Sequence, residues 1–362
     1  MNDLENARKI ISETDSEMAK LFVQRMKAVE KVAEYKKANG LPIFDAAREA
    51  EMLQKTAVNV EDAELREYYV NYMRSVMDIS KTYQRKLVNS MRVAYSGVPG
   101  AFGYIAAKRL YSDAELVSFD GFESAYKAVE NGDCDCAVLP VENSYAGDVG
   151  AVMDLVFSGS LYINAMVDVA VVHNLLGKEG AKLEDIKTVT SHPQALSQCA
   201  EYISANGFSE VPCSNTAVAA QNVAEGDDVS VAAIASAETA QLYGLKVLET
   251  NINASRTNTT RFAVFSRSQH LPDSQKKIDE NFILVFTVKH EAGALAKALD
   301  IIGAYNFNMR NLRSRPMKEL LWNYYFYVEA EGNINTEDGR DMLKALGATC
   351  AKLKLVGTYK TV

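Results

Sequence analysis

The fold class this sequence predicts is a serial one: an all-α segment, then an α/β segment, then a small α+β module. Three observations predict it. Of the 20 glycines in the chain, residues 1–90 hold only Gly40, and their single proline is Pro42, so long uninterrupted helices fit there. From Met91 short apolar runs alternate with alanine-rich helical stretches, as in α/β architecture with largely parallel sheets. After the polar, proline-containing stretch 266–281, read as a linker, two strand–helix alternations suggest a βαββαβ unit.

Taken in order, helices are expected at roughly 4–38, 45–58 and 62–88, with Asp45 and Asp62 as start signals. The first carries a 3-4 spaced seam of Leu4, Ala7, Ile11, Thr14, Met18, Leu21, Arg25, Ala28 and Val32. At 1.5 Å per residue it spans roughly 50 Å, too long a seam for three helices of one small subunit to bury. A dimeric bundle is therefore expected, as a homodimer or homotetramer. Strands are expected in MRVAYS, CDCAVLP, VDVAVVH, IKTVTS, VSVAAIA and RFAVFS, with helices at 194–205 and 216–225 between them. FILVFTV, a helix at 293–304, LWNYYFYVEA and a helix at 337–346 make up the last module.

Composition narrows the function. The net charge is −8, and residues 1–90 are balanced at 15 Lys+Arg against 15 Asp+Glu, so the acidic excess lies entirely beyond them. That argues against a nucleic-acid binder, which needs a clustered basic face. The N-terminus lacks the apolar core of a signal peptide, and no apolar run approaches the roughly 18 residues of a membrane span. Five cysteines without a metal-type pattern suit a reduced cytoplasm and no bound metal. Gly97-x-x-Gly100-x-x-Gly103 is not the dinucleotide fingerprint, so a nicotinamide cofactor is not expected.

In the helical segment, Arg25 sits on the apolar seam, which is costly without an anion. Lys36 follows by nearly three whole turns on a similar face. Asp45, Arg48 and Glu49 share one turn, and Ser80 and Gln84 face inward one turn apart. Arg8 lies roughly 26 Å along the helix from Arg25, so it serves the same pocket only from a partner subunit. This set, Arg8, Arg25, Lys36, Asp45, Arg48, Glu49, Ser80 and Gln84, resembles that of the all-helical chorismate mutases, with no position missing. The resemblance implies that the arginines and Ser80 grip the two carboxylates of chorismate. It assigns Glu49 to the substrate hydroxyl, and Lys36 and Gln84 to the ether oxygen. Such a pericyclic rearrangement needs a held conformer and charge stabilisation, not a nucleophile.

In the α/β segment, small polar residues follow strand ends in VENS, SHPQAL, CSNTAVAA and TNTTRF. Taken singly, Asn143, Ser144, Ser191, Asn215 and Thr216 read as helix caps, and helix N-termini also bind anions. As a set these stretches resemble prephenate dehydratase. That resemblance implies a two-lobed fold like the periplasmic solute-binding proteins, with the site in the cleft. It makes Thr260 the principal catalytic residue, followed by Arg261 and Phe262; His192, counted with the substrate contacts, stays open between a general acid and a structural hydrogen bond. Alternation would point Thr259 to the opposite face. One departure is visible: Gly100-Ala101-Phe102-Gly103 lacks two hydroxyls usual in the family. His173, His270 and His290 form no recognisable spacing and receive no role.

Residues 281–362 resemble an ACT regulatory domain. Gly293, Ala294 and Leu295, then Ser314, Arg315 and Pro316, match its two phenylalanine-sensing motifs, with Arg313 where the family has glutamate. The resulting expectation is a cytoplasmic, cofactor-free enzyme acting on chorismate and prephenate, with phenylalanine as effector and domains at 1–90, 91–268 and 281–362. Two alternatives stay open: a dehydratase whose bundle serves only assembly, and a non-catalytic amino-acid sensor.

Overall fold

The computed structural model describes residues 2–88, 90–255, 257–273, 280–317 and 324–361. Residues 274–279 of the expected linker and 321–323 of the LWNYYFYVEA run lie outside them. The chain divides into two compact units, residues 1–92 with 113–115, and 93–112 with 116–362.

The first unit holds three helices, α1 (Asp3–Ala38), α2 (Ala46–Ala57) and α3 (Ala63–Leu87). Asp45 and Asp62 are the N-caps of α2 and α3, accepting backbone N–H bonds from Arg48 and from Glu64 and Leu65. In α1 only Val29 and Ala33 are buried. The seam residues Leu4, Ile11, Met18, Leu21 and Val32 are 41–62% exposed. Tertiary packing supplies most helical stability, so an apolar stripe of this length without cover is an unfinished core.

The second unit begins with β1 (Arg92–Ser96), α4 (Phe102–Leu110), β2 (Glu115–Phe119), α5 (Phe122–Glu130), β3 (Cys136–Asn143), β4 (Gly147–Asp148), α6 (Gly150–Ser158) and β5 (Tyr162–Ala170). Next come β6 (Asn174–Gly177), β7 (Thr188–Ser191), α7 (Pro193–Gln198), α8 (Ala200–Asn206), β8 (Ser209–Pro212), α9 (Thr216–Glu225), β9 (Val231–Ala235), α10 (Ala237–Tyr243) and β10 (Lys246–Glu249). The chain returns in β11 (Thr259–Ser266) and ends in β12 (Asn281–Thr287), α11 (Ala294–Ala304), β13 (Asn308–Pro316), β14 (Tyr324–Glu331), α12 (Glu337–Thr349) and β15 (Lys352–Thr361).

Two sheets form. One runs β10-β6-β9-β7-β8; the other runs β13-β14-β12-β15-β5-β11-β3-β1-β2, with β4 on β3. The expectation of largely parallel sheets is corrected, because both are mixed: β11 is antiparallel to β3 and β5, and β6 to β9 and β10. The predicted VDVAVVH strand ends at Ala170, where the chain leaves one sheet for the other. It comes back through 250–258, and the two crossings are tied by Val171 N–H to Asn258 C=O and Ile252 N–H to His173 C=O. The predicted helix 194–205 breaks at Cys199, whose φ −109°, ψ 9° lies outside the helical basin.

The last four strands are ordered β13-β14-β12-β15 and are all antiparallel, with α11 and α12 packed on one face through Phe282, Leu284, Phe286, Ala298, Ile302, Met342 and Leu346. Their other face carries Ile283, Val285, Tyr325 and Tyr327 into the core built by α5, α6, β3 and β11. β15 also pairs with β5, so no break separates the α/β segment from residues 281–362 within this unit.

Candidate functional site

Between the two sheets of the second unit lies a cleft of about 650 Å³. Thr260 and Phe262 line it from β11, Pro140 and Asn143 from β3, His192 from α7, and Asn215 and Thr216 from α9. Strand alternation alone would put Pro140 and Asn143 on opposite faces. A bulge in β3 corrects this: Phe262 pairs with Pro140, Arg261 with Glu142 and Thr260 with Asn143, leaving Val141 extra. Bulges re-aim side chains in this way.

The hydrogen bonds at this point fix the direction of donation. Asn143 Oδ1 accepts from the backbone N–H groups of Tyr145 (3.0 Å) and Ala146 (2.9 Å). Its Nδ2 must then be the group facing Thr260 Oγ1 and Asn258 Oδ1, each at 2.9 Å. Asn258 Nδ2 donates to Gln198 Oε1 (3.0 Å), which also meets His173 Nε2 (2.8 Å). Gln198 Oε1 only accepts, so His173 carries its proton on Nε2. Its Nδ1 has no partner among the described residues, and burial pushes its pKa below the usual histidine range. The chain of amides therefore ends by donating into Thr260 Oγ1, which leaves the hydroxyl proton free for a ligand. Sequence reasoning missed Gln198, Asn258 and His173. Only their convergence in space connects them, since they come from a helix end and both crossings.

No lysine or arginine side chain is among the residues that line the cleft. Asp120 and Asp148 are among the lining residues, so the groups that could meet an anion there are the backbone N–H donors at helix starts. The N-terminus of α4 has no side-chain cap, and Ala101, Phe102 and Gly103 open onto the cleft. A Cβ at Gly103 would lie 3.1 Å from Ser96 O, so the missing hydroxyl there accompanies a tight backbone contact. Asn215 caps α9 through Oδ1 on Ala217 N–H (2.8 Å), while its other atoms and Thr216 line the cleft. Uncapped first-turn N–H groups and the helix dipole suit carboxylates. His192 caps α7 through Nδ1 (3.2 Å to Gln194 N), so Nε2 is the ring nitrogen left for a ligand.

Three residues of the motifs that resemble prephenate dehydratase fall elsewhere. Ser191 is fully buried and donates to Ile234 C=O (2.6 Å). Ser144 Oγ donates to Thr257 C=O and accepts from Thr259 N–H, outside the cleft. Arg261 lies on the face of β11 opposite Thr260 and pairs with Asp168 at 2.9 and 3.2 Å, which holds its guanidinium firmly charged. Thr259, as alternation predicts, does not line the cleft.

In the first unit, Arg25 donates to Ser80 Oγ across α1 and α3. Ser80 and Gln84 are buried, and Gln84 Oε1 has no partner among the described residues. Arg25 makes no ion pair among the described residues, and desolvation lowers its pKa. Lys36 likewise has only Ile43 C=O (2.6 Å). A half-buried arginine without a carboxylate partner is costly unless an anion meets it, and the buried Gln84 Oε1 also lacks a partner among the described residues. Glu49 is held by Lys81 at 3.0 Å, a partner the sequence did not suggest. Arg48 turns outward to Glu51, and Arg8 on the exposed first turns of α1 meets none of the set.

Of the expected effector residues, Gly293 (φ +79°) precedes α11, with Ala294 and Leu295 in its first turn. Ser314 and Pro316 are exposed on β13, but Arg315 points to the other face and pairs with Asp154 of α6 at 3.2 Å. That alternation removes Arg315 from the surface Ser314 presents.

Comparison with known proteins finds a family match for each of the two segments that carry these residues. The prephenate dehydratase family matches residues 93–270, and the type II chorismate mutase family matches residues 7–85. A bifunctional chorismate mutase/prephenate dehydratase from Enterobacter agglomerans is 30% identical, over 99% of this chain and 96% of its own. Arogenate dehydratase/prephenate dehydratase 1 of Arabidopsis thaliana is 33% identical over 75% of this chain and 72% of its own. The crystal structure of Arthrobacter aurescens prephenate dehydratase in complex with L-Phe superposes with a TM-score of 0.68 at 28% identity, covering 74% of this chain and 89% of that one. With both catalytic families matched in this order along one chain, the protein belongs to the bifunctional chorismate mutase/prephenate dehydratases.

Proposed function

We propose that the enzyme's two activities are divided between the bundle and the cleft, with Thr260 the residue that assists dehydration. The observation that carries this reading is the 2.9 Å bond from Asn143 Nδ2 into Thr260 Oγ1, which orients the hydroxyl and leaves its proton available. Prephenate bound in the cleft would place its carboxylates at the first turns of α4 and α9. As the ring C–CO₂⁻ bond breaks, its electron pair enters the ring and expels the ring hydroxyl, releasing CO₂. Thr260 donates a hydrogen bond to the departing oxygen, which leaves as hydroxide and becomes water by taking a proton from solvent, Thr260 keeping its own. Aromatisation drives the step, so a weak acid suffices.

In residues 1–90 the substrate is chorismate. Arg25 and Ser80 take one carboxylate, Lys36 and Gln84 the ether oxygen, and Glu49 the hydroxyl, with Asp45 and Arg48 at the same end. Arg8 acts on the partner subunit's pocket, which accounts for the uncovered α1 seam and makes the enzyme a dimer. Residues 91–268 then act on prephenate, and 281–362 form an ACT domain that takes phenylalanine at Gly293–Leu295 with Ser314 and Pro316, Arg315 being turned to Asp154 on the other face. The five free thiols suit a cytoplasmic enzyme.

The test supplies chorismate or prephenate to wild type and to Arg25→Ala, and follows phenylpyruvate with and without added phenylalanine. Arg25→Ala should lose phenylpyruvate from chorismate only, and phenylalanine should slow its formation from prephenate. Equal loss from both substrates in a folded Arg25→Ala protein would overturn the division of labour.

A further inference from the structure

The strands that carry Asn143 and Thr260 have a reverse face, and it is charged. Directly behind them stand Glu142 and Arg261, cross-strand partners in the β3–β11 ladder. Each is met by a residue of opposite charge from the C-terminal module. Arg313 of β13 reaches Glu142 Oε2 at 2.6 Å and also pairs with Asp148 of β4. Glu329 of β14 lies 3.9 Å from Arg261 and accepts from the Tyr359 hydroxyl. β13 and β3 are separated in the sheet by five strands, so these contacts exist only because the sheet curls back on itself.

Arg313 is well placed to hold this arrangement. Only 14% of its side chain is exposed, its Nε donates to Asn311 (3.0 Å), and it lies over the Tyr327 ring at 5.7 Å. Glu142 and Asp148 face each other across the β3–β4 hairpin, as do Asn143 and Gly147 next to them. Two carboxylates so placed repel each other. A planar guanidinium with several donors can bind both at once, whereas an ammonium acts as a single point charge. The hairpin it closes is the one whose turn N–H groups orient the Asn143 amide.

We propose that Arg313, with Glu329, is a positioning residue of the dehydratase: the C-terminal module grips the backs of both catalytic strands through two ion pairs of opposite polarity. The arginine that replaces the family's glutamate is thus part of the catalytic support. This inference rests on the reading of Thr260 as the hydrogen-bond donor.

The experiment measures dehydratase kcat on prephenate for Arg313→Gln, Arg313→Lys, Glu329→Gln and Thr260→Val, and for the double variant Arg313→Gln/Thr260→Val. Mutase turnover and thermal unfolding are followed in parallel. Misplacement of a reacting group by about 1 Å can cost 10²-fold, so Arg313→Gln should lower kcat by roughly 10-fold or more, with mutase turnover unchanged. Arg313→Lys should fall between the two. In the Thr260→Val background Arg313→Gln should cost nothing further, because the group it positions is gone; a purely structural role would add its loss in full. Should Arg313→Gln not fold, Glu329→Gln takes its place in the same cycle. Unchanged kcat in the folded variants, or full additivity with a slow Thr260→Val, overturns this inference alone. Wild-type kcat in Thr260→Val overturns the catalytic reading beneath it.

Discussion

Replacing Thr260 by valine removes one oxygen and keeps the β-branched shape, so the strand geometry of β11 should persist. Two terms follow from the structure. On folding, Asn143 Nδ2 loses Thr260 Oγ1 but retains Asn258 Oδ1 at 2.9 Å and Thr259 C=O at 3.3 Å. No buried donor is orphaned, and the cost should stay near the about 0.5–1.5 kcal/mol of one neutral hydrogen bond. On catalysis, a preoriented donor to the leaving oxygen is lost, and such a donor is worth about 2.7–4 kcal/mol, or 10²–10³-fold in kcat. The effect should appear in kcat with little change in KM, because carboxylate binding is assigned to the helix starts. The assay is steady-state conversion of prephenate to phenylpyruvate, with chorismate turnover as internal control. Thr259→Val is the matched comparison, since that hydroxyl bonds Thr257 C=O (3.4 Å) outside the cleft and its loss should be mild. A damaging Thr259→Val beside a near-normal Thr260→Val would refute the assignment by one residue.

Gln84→Ala or Lys36→Ala should remove most mutase turnover and leave prephenate dehydration intact; parallel loss of both in a folded protein would contradict two separate sites. Mixing Arg8→Ala with Arg25→Ala protein under subunit exchange should recover some mutase activity, because one hybrid pocket carries both defects and the other neither. No recovery with exchange verified would remove Arg8 from the partner's pocket. His173 supplies a pH prediction. Burial lowers its folded pKa beneath the unfolded value near 6.5. The unfolded chain therefore takes a proton that the folded one refuses, so stability is complete above about pH 6.5 and declines as pH falls below it. His173→Gln keeps a donor to Gln198 and cannot titrate, so its unfolding midpoint should vary less than wild type between about pH 8 and pH 5. Parallel midpoint curves would show that His173 contributes no such linkage.

Much of this enzyme was legible in one dimension because the signals were local. The helices of residues 1–90 follow from seam spacing, scarce glycine and the aspartates that became the caps of α2 and α3. Thr260, Asn143, His192, Asn215 and Thr216, which line the cleft, could be singled out because each sits at a strand end or helix start that a short motif marks. What the sequence could not show depended on register and on distant pairing. Simple alternation would have placed Asn143 behind the sheet, and only the bulge at Val141 turns its amide toward Thr260. Ser191 and Arg261 carry the same chemistry inside the motifs as outside them. Burial on Ile234 and the opposite face of β11 took them out of the cleft. Gln198, Asn258 and His173 are ordinary residues until the two chain crossings bring them within hydrogen-bond reach. The same holds for Arg313, an unexplained charge reversal in a motif until the curled sheet lays it against Glu142 and Asp148. Local patterning decides which elements form and which residue types stand at their ends. Which face each residue presents, and what meets it there, is decided by pairing between strands that are far apart along the chain.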